Sequence, residues 1–255
     1  MSRKCDEAAS CSELNKQFIR QASWTKTTRN QLYREIGLLN VRRVLEVGCG
    51  TGAITRELRE KTSAQITAID SDPIVLAKAM EDIPDVQFYK ENAEKLSMRD
   101  ETFDVVICHY FFLWNPQPFK LLMELVRVCK PGGYIVALAE PDYGGWLEYP
   151  ELGLGKKHSE CLELQGADPY MGRKLLSFFE SAGLKTSLTV TAQVWDQEKL
   201  KENIEMEWKN VLKAEEITEE EFKDIMEKEK DAIDNNLRMI FLPVFSAIGK
   251  KVKND

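Results

Sequence analysis

The chain has 255 residues, 43% of them apolar, which is enough to fill the core of one large α/β domain, and it carries a net charge of −7. No dense Lys/Arg stripe offsets that acidity, which argues against a nucleic-acid partner whose phosphates supply most of the binding energy. The longest apolar stretches, 105–114 and 134–139, fall short of the roughly 18 to 20 residues a membrane helix needs, and the charged start (Arg3, Lys4, Asp6, Glu7) has no signal-peptide core, so a cytoplasmic protein is expected.

In chain order, Phe18, Gln21, Ala22 and Trp24, continued by residues 28–36, have helical spacing ahead of the first strand. Strand-like runs follow at 43–47, 65–69, 86–89, 103–109 and 134–140, with amphipathic stretches between several of them. The first four are short and rich in Val and Ile, as expected of a mostly parallel sheet covered by helices on both faces. Asn115-Pro116-Gln117-Pro118 reads as the loop before a helix over 119–129, which Lys130-Pro131-Gly132-Gly133 ends. Residues 141–155, with two prolines and four glycines among aromatics, read as a structured loop. His158 falls in a polar, helix-like stretch that predicts surface placement. A helix over 172–182 stops at Gly183, 184–195 alternates as a strand, and 238–248 predicts one more strand closing the sheet.

Between those last strands, residues 197–235 form a helical arm with 14 Asp/Glu and 7 Lys. Leu200, Ile204, Trp208, Val211 and Leu212 recur at helical spacing, and Thr218-x-x-Glu221 is a capping box before Phe222, Ile225, Met226 and Ile233. The six cysteines (5, 11, 49, 108, 129, 161) include no Cys-x-x-Cys pair, so no metal site is expected.

The most specific local signal is Glu46-Val47-Gly48-Cys49-Gly50-Thr51-Gly52, three glycines at alternate positions between a buried strand and a helix starting at Ala53. Glycines let the backbone turn sharply and let a ligand approach where a Cβ would collide, while free N–H groups at the helix start favour a carboxylate. Taken alone, Gly48-x-Gly50-x-x-Ala53 with Asp70 downstream also fits a nicotinamide dinucleotide fingerprint. Glu46 before the first glycine and the third glycine at alternate spacing separate the two readings.

Over residues 41–136 the sequence resembles the class I S-adenosylmethionine-dependent methyltransferases, with several motifs in the family's order. The resemblance implies a Rossmann-like, doubly wound, mostly parallel seven-stranded sheet with an antiparallel final strand and helical cap insertions. It also implies S-adenosyl-L-methionine as cofactor. Glu46 and the backbone of Gly48, Cys49, Gly50 and Gly52 would hold its methionine part, and Asp70, followed by Ser71, its ribose hydroxyls. Asn92-Ala93-Glu94-Lys95-Leu96 matches the adenine-binding motif, with Asn92 where the family often has Asp. Related enzymes fold an N-terminal segment over the cofactor as a lid, which makes Trp24 a candidate for closing the pocket. One domain over 1–255 follows, with a lid at 1–40, a core at 41–195 and 236–250, and a helical insertion at 196–235.

Methyl transfer from a sulfonium is a direct displacement, favoured mainly by alignment and by excluding water. Ligands in such sheets sit beyond the carboxyl ends of the strands. His109, after the fourth strand, is the candidate base or substrate contact and is also a candidate cofactor contact. Trp114 there, Glu140, Asp142 and Tyr143 after the fifth strand, and Arg173 further on are candidate substrate contacts. The implied activity is methylation of a small molecule; protein methylation and cofactor binding without turnover are the alternatives. Oligomeric state is open.

Overall fold

The computed structural model describes residues 8–214 and 216–253; Cys5 lies outside them. Helices α1 (Ala8–Trp24) and α2 (Lys26–Glu35) precede the sheet. Then come β1 (Arg43–Val47), α3 (Ala53–Lys61), β2 (Gln65–Asp70), α4 (Pro73–Asp82), β3 (Gln87–Lys90) and β4 (Phe103–Cys108). The chain continues through α5 (Pro118–Val128), β5 (Cys129–Pro141), β6 (Leu147–Tyr149), α6 (Leu154–Leu164), α7 (Met171–Ser181) and β7 (Leu184–Thr191). It closes with α8 (Gln197–Lys213), α9 (Glu219–Asp234), β8 (Met239–Phe241) and β9 (Val244–Lys251).

Seven strands form one sheet in the order β3-β2-β1-β4-β5-β9-β7, parallel from β3 to β5, with β9 antiparallel between β5 and β7. This is the expected doubly wound architecture. Alternate residues of the central strands serve the two faces, as a period of two requires. Val106 and Cys108 of β4 join Leu121 and Leu125 of α5 and Phe179 of α7, whereas Val105 and Ile107 join Leu32 of α2, Leu58 of α3 and Leu76 of α4.

The single strand expected over 238–248 is two. Leu242-Pro243 interrupts it, because proline has no N–H for a ladder. The first half, β8, leaves the main sheet and pairs with β6 as a separate antiparallel ribbon.

That ribbon belongs to a third hydrophobic cluster, distinct from the two that sandwich the sheet. Leu154 and Cys161 of α6, Leu200, Ile204, Trp208 and Val211 of α8, Ile233 of α9 and Ile240 of β8 build it, so the apolar stripe of the acidic arm faces inward as its spacing predicts. The capping box is formed, with Glu221 N–H donating to Thr218 Oγ1 (3.2 Å) and Thr218 N–H to Glu221 Oε2 (2.7 Å). His158 departs from its predicted place: it is 8% exposed. Leu154, His158 and Cys161 follow one another at helical spacing on α6, so the histidine takes a core position that Lys156, Lys157 and Glu160 mask in the sequence. No described helix is long and apolar enough to cross a membrane.

Candidate functional site

Where β1 ends, the chain enters three left-handed glycines, Gly48 (φ 72°), Gly50 (φ 52°) and Gly52 (φ 85°). The turn is held by Ile69 O, which accepts from Gly48 N–H (2.9 Å) and Cys49 N–H (3.0 Å). Asp70 at the end of β2 grips the same loop: its Oδ2 accepts from Gly50 N–H (2.8 Å) and its Oδ1 from Asp72 N–H (2.9 Å). A Cβ at Gly48 would stand 2.5 Å from the ring of Phe111, and one at Gly50 2.9 Å from the ring of Phe18. Side chains larger than hydrogen are excluded there both by backbone conformation and by space.

Glu46, one residue before that turn, is 3% exposed, and its Oε2 is buried with no hydrogen-bond partner among the described residues. Burial pushes its carboxyl up to about 8, opposed by neighbouring Thr55 and reinforced by the charges of Asp70 and Glu57. Burial also raises Asp70, opposed by the N–H groups of Asp72 and Gly50. An orphaned carboxylate oxygen, a glycine cradle and a second carboxylate one strand away make a site suited to a ligand with an ammonium group and hydroxyl groups. Those are the groups that S-adenosylmethionine presents. The residues fit it, and bound there it would supply an electrophilic methyl group on a sulfonium.

The remaining candidates on this side are at the surface or in the core. Cys49 turns its side chain into the core and offers only backbone to the loop. Ser71 and Asn92 are exposed, and Asn92 Oδ1 accepts from Glu94 N–H (2.9 Å), fixing the turn that carries Ala93 and leaving the amide NH2 outward. Trp24 does not meet the glycine loop. It packs against Trp195 with ring centroids 5.2 Å apart and planes tilted by 46°, and the α1 residues that do meet the loop are Phe18 and Asn15, which accepts from Thr51 Oγ1 (2.7 Å).

His109 lies at the end of β4 with Nε2 3.4 Å from Thr25 Oγ1 and its ring edge-on to Tyr110 at 4.7 Å. Burial and the nearby Arg29 charge hold it well below its ordinary pKa, so it is neutral at neutral pH and a weak proton acceptor. Glu140 is fully buried and accepts from the N–H groups of Phe111 (2.7 Å), Phe112 (2.8 Å) and Leu113 (3.3 Å). Its carboxylate therefore anchors the turn after β4 instead of facing a substrate. Asp142 accepts from Arg173 Nε (2.5 Å) and Gly144 N–H (3.0 Å), and Arg173 is thereby engaged in an ion pair. Trp114 is half-buried at the edge of the core beside α5 and α7.

Tyr143 stacks on Trp146 with centroids 6.0 Å apart and planes 7° from parallel, and His158 lies 5.8 Å from Tyr143. Glu207 of α8 closes this group, with Oε1 accepting from Arg20 Nη2 (3.1 Å) and Oε2 3.2 Å from His158 Nε2. Tyr110 has a left-handed backbone (φ 51°) and a buried hydroxyl without a hydrogen-bond partner among the described residues, and Trp146 Nε1 is likewise buried and unpaired among them. Strain and unsatisfied donors at one strand edge mark a place shaped for a ligand. Arg20, His158 and Glu207 escaped sequence reasoning, although Asn203 and Glu207 occupy the inward stripe of α8 where apolar residues are expected, and that was the available signal.

Residues 45–137 match a family model described as a methyltransferase domain. Among curated proteins, the chain is 31% identical over 119 residues to trans-aconitate 2-methyltransferase of Escherichia coli O139:H28, covering 46% of each chain. The counterpart from Shigella flexneri serotype 5b is 32% identical over the same length. The chain thus matches about half the length of these curated relatives. Among solved structures, a Bacillus halodurans protein described as a methyltransferase aligns at TM-score 0.62 and 17% identity, over 89% of this chain and all of that one. Phosphoethanolamine N-methyltransferase 2 of Haemonchus contortus, in complex with S-adenosyl-L-methionine, aligns at TM-score 0.59 and 14% identity, over 89% of this chain and 53% of that one. At these identities the structural matches speak for the fold.

Proposed function

Because this chain carries a class I S-adenosylmethionine-dependent methyltransferase domain, we propose that the protein moves the methyl group of S-adenosylmethionine to a small molecule. The observation that carries this reading is Glu46: a buried carboxyl group, with an oxygen unpartnered among the described residues, at the mouth of a left-handed glycine turn. Glu46 would pair with the cofactor's ammonium, Asp70 would accept from the ribose hydroxyls, and Asn92-Ala93 would border the adenine. Helix α1, tied to the glycine loop through Asn15 and Phe18, would act as the lid.

Small-molecule chemistry is supported by the aromatic group between the sheet edge and the cap, Tyr110, Tyr143, Trp146 and His158, whose rings pack on one another and on Leu242 and Val244. The curated relatives are named for a small-molecule acceptor as well. The cleft of about 270 Å³ on the cap, between Leu152, Lys157, Trp208 and Ile225, is lined by no residue of the glycine loop.

Equilibrium titration of the purified protein with S-adenosylhomocysteine and, separately, with nicotinamide dinucleotides tests the reading. Saturable binding of the first and none of the second is expected. Preference for a nicotinamide dinucleotide would overturn it, and donor binding without methyl transfer to any acceptor would favour a binding protein.

A further inference from the structure

Arg29 of α2 is 1% exposed, and its guanidinium joins three neighbours. Nε and Nη2 donate to the two oxygens of Glu57 on α3 (3.1 and 2.5 Å), while Nη1 donates to Ala22 O (2.5 Å) and Thr25 Oγ1 (2.6 Å), where α1 meets α2. Helix α3 is the one that the glycine loop opens. One buried side chain therefore ties the end of α1 to the helix behind that loop.

Thr25 is also 1% exposed, and its oxygen already accepts from Arg29. Its own hydrogen must find an acceptor inside the protein, since a buried hydroxyl left without one is destabilising. Among the described residues the other hydrogen-bond partner of that hydroxyl is His109 Nε2, 3.4 Å away. Burial and the charge of Arg29 keep the His109 ring neutral, so it carries a single proton. With Nε2 accepting from Thr25, that proton belongs on Nδ1. His109 is half-buried, and its Nδ1 has no hydrogen-bond partner among the described residues and is not sealed from solvent.

The sheet register places this nitrogen's residue at the donor site. Strands β1 and β4 are parallel with Val47 opposite Cys108, so the next residues, Gly48 and His109, leave the strands side by side. Most N–H groups of the loop itself are engaged there: Gly48 and Cys49 donate to Ile69 O, Gly50 to Asp70, and Gly52 to Cys49 O (2.9 Å). Glu46 and Asp70 are acceptors, suited to an ammonium and to hydroxyls. The α-carboxylate of the same ligand needs a donor, and the loop has little left to offer.

We propose that Thr25, fixed by Arg29, is a positioning residue that holds His109 as its Nδ1–H tautomer, and that this N–H binds the α-carboxylate of S-adenosylmethionine. The proposal rests on the methyl-transfer reading and deepens it by assigning a side chain to the group that Glu46 and Asp70 leave unbound. His109 then contributes as a neutral donor beside Gly48.

Long-range 1H–15N NMR of the histidine rings reads the proton's position in the full chain, which has two histidines, and His158→Asn assigns the signals. Near neutral pH, wild type and Thr25→Ser should show His109 with its proton on Nδ1. Thr25→Val, which keeps the shape without the hydroxyl, should let the Nε2–H form appear and weaken S-adenosylhomocysteine about twofold or more, as the competent tautomer is diluted. His109→Leu should weaken S-adenosylhomocysteine about tenfold or more and the same thioether lacking its carboxylate by less than about twofold. His109→Asn, whose amide can present an N–H near the position of Nδ1, should recover most of the loss. A proton on Nε2 in wild type would overturn the proposal, as would an equal loss for both ligands in His109→Leu. If S-adenosylhomocysteine binds wild type and His109→Leu alike, this proposal fails alone; if it does not bind wild type, the methyl-transfer reading fails first.

Discussion

Replacing Arg238 with methionine is expected to cost about 3–5 kcal/mol of folding stability, because it strands buried carboxylates without their cation. The side chains of Arg238 and Glu229 are both fully buried. Arg238 Nε and Nη2 meet the two oxygens of Glu229 at 2.7 and 2.8 Å, Nη2 also donates to Glu148 (2.7 Å), and Nη1 donates to Pro150 O (2.8 Å). Trp208 Nε1 donates to the same Glu229 (2.8 Å). One guanidinium thus joins β8, α9 and the strand β6 on the far side of the ribbon, and fixes the cap over the sheet edge. Urea unfolding followed by tryptophan fluorescence measures the loss. The double variant Arg238→Met with Glu229→Leu should recover a substantial part of it, since it also removes the stranded charge. A loss in the single variant below about 0.5 kcal/mol, the range of an ordinary surface change, would mean that the network is dispensable.

Affinity for S-adenosylhomocysteine is expected to rise with pH by roughly tenfold or more between pH 6 and pH 8, through Glu46. Its carboxyl is raised from the ordinary 4.5 to about 8, so in the free folded protein it keeps a proton that the unfolded chain has already released. Stability contributed by this group is therefore greatest below about pH 4.5 and declines as pH rises toward 8. A ligand ammonium reverses the balance by favouring the ionised form, so binding must expel a proton in that window. The rise ends near pH 8, where a free α-amino group begins to lose its own proton. Thr55, Asp70 and Glu57 are the neighbours that set the carboxyl's position. Calorimetry in buffers of different ionisation enthalpy reads the released proton directly. Glu46→Gln should flatten the profile and bring affinity at pH 8 down to roughly its value at pH 6. A profile that keeps its slope in that variant would assign the proton to another group.

The sheet and the glycine turn were legible because their signals are backbone requirements. Gly48, Gly50 and Gly52 adopt left-handed conformations whatever surrounds them, and their alternate spacing records that directly. Asp70 could be placed because a strand's end fixes its last side chain near the loop it faces. Side chains on docked elements were less legible. Nothing in the periodicity of α1 says which of its residues faces the glycine loop, since the docking angle is set by contacts such as Thr51 with Asn15; Phe18 reached it and Trp24 went to the cap. Glu140 carries the same sequence signal, an acid ending a buried strand, as a substrate-binding residue does. Its orientation was decided by three N–H groups of a turn that lies 27 to 29 residues earlier. His158 and Glu207 were hidden by the reverse effect, polar residues in inward positions that become meaningful only once their two helices meet.

The most direct measurement of the central claim is the affinity of S-adenosylhomocysteine for wild type, Asp70→Asn and Asp70→Ala, with folding checked by circular dichroism. Asp70→Asn retains an acceptor for Gly50 N–H and separates the loop's anchorage from the charge. Loss of two hydroxyl bonds to a carboxylate, each worth about 1.5–3 kcal/mol, predicts that Asp70→Ala binds on the order of 100-fold more weakly or worse. Asp70→Asn should fall between the two. Unchanged affinity in a folded Asp70→Ala protein would contradict the site described here.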